Sequence, residues 1–296
     1  MKTHMKTETQ CVHAGQAPDP VTKARGVALH RTAAYLFDST AHAADLFALK
    51  APGNIYTRIM NPTQEVLEQR VTALENGAGA LALASGTAAI YSAIINICSA
   101  GDEVVSAQNL YGGTYTMFDA ILPQFGIKTH FVDPTSPDTL KAALTEKTRA
   151  IFVETIGNPV LDVTDLEDIA AIAQAHHVPL IVDGTFTTPY LLRAIDFGAD
   201  VVVNSVTKWM GGHGVGIGGV VVDAGRFDWT DPKFRLYNEP DASYHDLRYA
   251  HDLGELTSLA FIMRMRLVPL RNLGACISPD NAWMFLQGLE TLHLRM

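Results

Sequence analysis

Seven short apolar runs, six or seven residues long with their flanking polar or small residues, constrain this chain more than any other feature. They are AGALALA (78–84), DEVVSAQ (102–108), KTHFVD (128–133), RAIFVET (149–155), VPLIVDG (178–184), ADVVVNS (199–205) and GGVVVD (218–223). Each is too short for a helix; AGALALA alternates small residues with leucine, and the others carry β-branched or aromatic residues suited to a strand. Helical patterns lie between them. NPTQEVLEQRVTALE (61–75) places Pro62 near a helix start and Val66, Leu67, Val71 and Leu74 on one face. SGTAAIYSAIINI (85–97) and LEDIAAIAQAHH (166–177) read the same way. Alternating strands and helices build βαβ units, so the expectation is an α/β fold with a mostly parallel seven-stranded sheet.

The two ends depart from this rhythm. Residues 1–60 carry Pro18, Pro20, Pro52 and Gly53 and a single short apolar stretch near Leu46, which reads as an extended arm. Residues 61–255 read as the large domain. Beyond Gly254, LTSLAFIMRMRLVPLRNLG (256–274) reads as a helix ended by Gly274, and a second helix follows with Ser278 as N-cap and Pro279 at its first position. Residues 256–296 thus read as the start of a second domain that is incomplete, with Trp283, Phe285 and Leu286 on a face lacking its cover.

Bulk properties exclude several functions. A net charge of -9 without any block of lysine or arginine excludes nucleic acid and anionic membrane surfaces as partners. Cys11, Cys98 and Cys276 are far apart and form no metal or disulfide pattern, which suits a reducing cytoplasm; no metal is expected. The opening MKTHMKTETQ has no apolar core of a secretory signal. The uncharged stretch 77–101 is interrupted by Ser85, Gly86, Thr87, Ser92 and Asn96 and reads as a buried strand and helix rather than a membrane span.

The stretch NSVTKWMGGHGVGIGG (204–219) raises the question of chemistry. Its GVGIGG fits the spacing of a dinucleotide loop, but such a loop follows a strand and opens a helix, whereas here the glycines lead into a strand. Lys208, Ser205 and Thr207 instead follow VVVN, at the strand end where ligands bind in open α/β sheets. Asp183 closes another strand. Ser85, Gly86 and Thr87 follow a third and open a helix, whose N-terminus suits a phosphate. An acid at a strand end is often only a turn former, and a loop lysine is usually just solvated. Together, however, these residues suit one cofactor, pyridoxal 5'-phosphate. Lys208 would take its aldehyde as a Schiff base, and Asp183 would keep its ring nitrogen protonated. Tyr111 follows a further strand and could stack on the ring. His213, among glycines, reads as structural.

The segments YTRIMNPT (56–63), ASGTAA (84–89), NLYGGTY (109–115), ETIGNPV (154–160), IVDGTFTTPYL (181–191), NSVTKWMGGHG (204–214) and ISPDNAWMFLQGLETLHLRM (277–296) carry a resemblance. The chain resembles the Cys/Met-metabolism family of fold-type I pyridoxal-phosphate enzymes along nearly its whole length. The resemblance implies helices on both faces of the sheet. It implies that Lys208 holds the cofactor and moves protons, that Asp183 faces the ring nitrogen, and that Asn158 bonds the phenolic oxygen. Ser85, Gly86, Thr87, Thr185, Ser205 and Thr207 would surround the phosphate and ring, with Tyr111 stacked and aiding leaving-group chemistry. Tyr56 and Arg58 would reach the phosphate of a neighbouring subunit, which implies a homodimer paired again into a homotetramer. The implied reaction is γ-replacement on O-acetylhomoserine or another acyl-homoserine, with sulfide or a thiol giving homocysteine or methionine. Alternatives are γ-elimination or cystathionine-type chemistry, and a cofactor-binding scaffold without turnover. Gly184 stands where the family commonly has Asn, and Thr87 where Gln or Met is frequent. The family's substrate-carboxylate arginine lies in a segment with no counterpart here, so the expectation for these 296 residues is cofactor binding with little turnover.

Overall fold

The computed structural model describes residues 5–296, so Met1–His4 of the expected arm lie outside the described residues. Seven strands form one sheet: β1 Gly79–Leu83, β2 Glu103–Ala107, β3 Lys128–Val132, β4 Thr148–Glu154, β5 Leu180–Asp183, β6 Val201–Asn204 and β7 Gly219–Asp223. All seven fall on the seven apolar runs. Their order is β1-β7-β6-β5-β4-β2-β3. β7 is antiparallel to both its neighbours, and every other pairing is parallel. β1 and β6 therefore run in the same direction, with the first residue of β7 between their carboxyl ends.

Successive strand residues face opposite sides of a sheet. Every residue of β5, β6 and β7 is nevertheless buried. Both faces must be covered, the condition under which parallel strands become continuous apolar runs. The edge strand β3 instead begins with exposed Lys128, and an edge charge discourages pairing with another sheet. The helix Pro62–Glu75 starts as its sequence requires, with the Asn61 side chain accepting from the Thr63 amide at 2.9 Å. Its fully buried Leu67, Val71 and Leu74 seal β1. No helix among the described residues is long and apolar enough to cross a membrane.

Three expectations need correction. The N-terminal stretch is not wholly irregular: it contains the helices Thr7–His13 and Thr40–Phe47. The first docks on its own chain, with Cys11 buried and Arg70 Nε donating to the Ala14 carbonyl at 3.0 Å. Seven residues with two adjacent apolar positions give no periodic signal, which hid it. The stretch 256–274 is not one regular helix. A 3-10 turn (Gly254–Leu259), an α segment (Ala260–Met265) and a wide π turn (Arg266–Leu270) containing Pro269 precede Gly274. Proline lacks an amide hydrogen and crowds the carbonyl four residues back, so the helix widens there. Finally, the helix Pro279–Glu290 is capped by Ser278 as expected, but its apolar face is covered. Phe285 and Leu286 are buried, and Trp283 stays partly exposed with Nε1 donating to the Val27 carbonyl at 3.1 Å.

The helices Pro62–Glu75 and Thr7–His13 pack on Pro279–Glu290, and the glycine run after Lys208 covers Phe285. A Cβ on Gly218 would lie 2.5 Å from Phe285 Cε2, and one on Gly288 only 2.2 Å from the Gly211 carbonyl oxygen. The glycines allow the helix to press directly onto the backbone of this turn.

Candidate active site

Because β1, β5 and β6 point the same way, their ends deliver Ser85, Asp183 and Ser205–Lys208 to one end of the sheet. Ser85 caps the helix Gly86–Ile95, its Oγ accepting from the Ala88 amide at 3.0 Å. The first helical amides, Gly86 and Thr87, have no partner within the helix. Gly86 is required there: a Cβ would fall 2.6 Å from Ser205 Cβ. The helix N-terminus thus abuts the residue that starts the lysine turn. That turn is closed by Lys208 N donating to Ser205 O at 3.0 Å and Gly212 N donating to Lys208 O at 2.7 Å. The Lys208 side chain is exposed.

Asp183 ends β5 and is buried. Its Oδ1 accepts from the Thr185 amide at 2.9 Å, and Thr185 Oγ1 accepts from the Ser205 amide at 2.8 Å. Thr185 therefore ties the acid to the lysine turn. Burial raises the Asp183 carboxyl above its ordinary range, and the Thr185 hydrogen bonds oppose this only in part. Thr207 is less available than its hydroxyl suggested: Oγ1 donates to Gly218 O at 3.1 Å and accepts from Gly218 N at 3.0 Å. Tyr111 is half exposed in the loop after β2, and Asn158 is half-buried in the loop after β4.

A model of the Cys/Met metabolism PLP-dependent enzyme family matches residues 8–296. The chain belongs to this family. Among curated members, the O-acetyl-L-homoserine sulfhydrylase of Leptospira meyeri is 48% identical over the whole of this chain and 68% of its own length. The homocysteine synthase of Schizosaccharomyces pombe is 47% identical over 98% of this chain and 67% of its own. The chain thus spans about two thirds of these relatives' length. A Campylobacter jejuni protein described as an O-acetylhomoserine (thiol)-lyase, solved with N'-pyridoxyl-lysine-5'-monophosphate, superposes with a TM-score of 0.93 at 37% identity. It covers 98% of this chain and 71% of that one. The cystathionine γ-lyase of Lactobacillus plantarum gives 0.79 at 32%, covering 99% and 65%.

The family's cofactor fits what this chain offers. A buried carboxylate whose partners among the described residues are the amide and hydroxyl of Thr185 suits a protonated ring nitrogen. The helix end at Gly86–Thr87 suits a phosphate, and the exposed Lys208 amine is free for an aldehyde.

The structure adds Glu154, which sequence reasoning missed. It ends β4 directly beside Asp183 in register. Its Oε1 accepts from the Tyr111 amide at 2.7 Å, and its carboxyl is pushed up to about 8, first by burial and then by the charge of Asp183. Glu154 ends the strand TRAIFVE just as Asp183 ends LIVD, so the criterion that selected one acid also fitted the other.

Two expected groups stand apart. Tyr56 and Arg58 are exposed, with the Arg58 guanidinium 5.3 Å above the Tyr56 ring, and neither joins the hydrogen bonds described above. The arginines near the chain end are engaged elsewhere. Arg264 donates to Asn96, Arg266 pairs with Glu68, and Arg271 lies over Tyr244. His213 Nδ1 lies 2.8 Å from the Gly211 carbonyl, a local contact.

Proposed function

We propose that this chain binds pyridoxal 5'-phosphate through Lys208 and serves γ-replacement on O-acetylhomoserine, or another acyl-homoserine, with sulfide or a thiol. The observation that carries this reading is the meeting of Lys208, Asp183 and the Gly86 helix end at one end of the sheet, linked through Thr185 and Ser205. The 48% and 47% identities to a sulfhydrylase and a homocysteine synthase favour replacement over elimination.

When bound, the cofactor supplies an electron sink that makes the α-proton of an attached amino acid removable. Lys208 sits on the turn where its amine can take that proton and return it. The Asp183 carboxylate would keep a proton on the ring nitrogen. The Gly86 and Thr87 amides, with Ser85 and Ser205, would hold the phosphate; Tyr111 would cover the ring, and Asn158 would bond its phenolic oxygen. Thr185 orients Asp183, and Thr207 shapes the turn through Gly218. Tyr56 and Arg58 complete the phosphate site of a second copy. A groove of about 660 Å³ lined by Ser85, Thr87, Tyr91, Gly112 and Gly113 opens beside the site and would receive them.

Borohydride reduction followed by peptide mapping tests the assignment: the expected label is on Lys208 and is lost in Lys208→Ala. Label on another lysine refutes it. Assays with O-acetylhomoserine and sulfide then test the reaction. Homocysteine supports replacement, whereas 2-oxobutanoate formed without sulfide assigns elimination.

A further inference from the structure

Lys208 is exposed, so the direction of its amine depends on the backbone of its turn. One side chain, from the other end of the chain, grips that turn. Arg295 lies in the short helix Leu292–Arg295. Its Nη1 donates to the Trp209 carbonyl, and its Nη2 to the carbonyls of Met210 at 3.3 Å and Gly288 at 2.7 Å. Nε donates to Thr291 Oγ1 at 3.0 Å, which fixes the guanidinium plane. The group lies against Gly212, where a Cβ would fall 2.2 Å from both Cζ and Nη1. Gly212 in turn donates to the Lys208 carbonyl.

We propose that Arg295 is a positioning residue for Lys208. Its named acceptors are all neutral oxygens, two of them on the residues directly after the lysine. A planar fork can hold several carbonyls at once, whereas a lysine presents a single flexible ammonium. The fork joins the helix Pro279–Glu290 and the lysine turn into one unit, so the last residues of the chain act on the site without touching it. This rests on the assignment of Lys208 above.

The test compares wild type, Arg295→Ala, Arg295→Lys and Leu140→Ala, the last truncating a buried residue of the helix Pro137–Ala143 to lose stability away from the site. Each protein is titrated with pyridoxal 5'-phosphate, reduced, and scored for label at Lys208. Unfolding midpoints are measured in parallel. The expected result is half-labelling at about tenfold higher cofactor in Arg295→Ala, as for loss of charge-assisted bonds. Leu140→Ala should match wild type. Arg295→Lys should be intermediate, and added guanidinium ion at non-denaturing concentration should partly restore Arg295→Ala but not Leu140→Ala. If Arg295→Ala does not fold, the shift in Arg295→Lys decides. Arginine variants that shift no more than Leu140→Ala overturn the proposal. A wild-type chain never labelled at Lys208 overturns the functional reading itself, and this proposal with it.

Discussion

Asp183 is an acid whose chain supplies it with hydroxyl and amide donors but no charge. Replacing it by Asn removes the carboxylate while keeping the shape. Loss of a hydrogen bond to a charged group is worth about 1.5–3 kcal/mol, so Asp183→Asn should weaken pyridoxal phosphate binding roughly 10–100-fold. Absorbance titration measures this; unchanged affinity would remove Asp183 from the ring. A second acid, Glu75, shows how little of the interior the sequence displays. It is fully buried and accepts from Asn204 Nδ2 at 2.8 Å, while its own Oε2 and Asn204 Oδ1 have no partner among the described residues. A proton on Oε2 would supply the donor that this buried pair of acceptors lacks. Burial raises this carboxyl from 4.5 to about 8. The raised acid stabilises the fold fully below pH 4.5, loses that contribution as pH climbs toward 8, and changes nothing above. The slope is about 1.4 kcal/mol per pH unit. Glu75→Gln keeps a donor at every pH, so its stability relative to wild type should grow between pH 5 and 8 and then level. Denaturant melts across that range check this; a constant difference means that Glu75 is already ionised in the fold. Lys208 and Asp183 were legible because they stand at strand ends. Glu75 was not, since the last position of an amphipathic helix reads as solvent-facing until its neighbours are known.

At the scale of elements, the seven strands could be read because their runs are short, apolar and bounded, six of them also carrying β-branched residues. The helix 256–274 was misread because Pro269 was weighed less than the apolar period around it. The glycine-rich run was legible only in part: sequence context excluded a dinucleotide loop, but its packing partner lies some 70 residues on, at Phe285 and Gly288. This contact makes a specific forecast. Gly288→Ala would drive a methyl into the Gly211 carbonyl, a backbone atom that cannot swing aside. Overpacking of this kind costs about 1–3 kcal/mol. The variant should unfold at lower denaturant and bind cofactor more weakly, because the displaced backbone is that of the lysine turn. Normal cofactor affinity at reduced stability would show that the helix and the turn move independently.

For the whole molecule, the proposed sharing of sites between two copies has a direct test. Mixed dimers of Arg58→Ala and Lys208→Ala chains should regain one intact site per dimer, read as cofactor bound with wild-type affinity. No recovery in a verified mixed dimer would place Arg58 in its own subunit's site. The sheet order carries a different consequence, for how the molecule comes into being. β1 finds no neighbour among the strands that follow it closely in the chain, because its partner is β7, and Gly79 pairs with Asp223. Such distant closure is entropically slow. During synthesis β2 to β6 can assemble while β1 waits, and the cradle between Ser85 and Ser205 shuts only when Gly219 arrives between them. Cofactor capture should therefore be among the last events of folding, and a nascent chain released before β7 should carry Lys208 yet hold no cofactor.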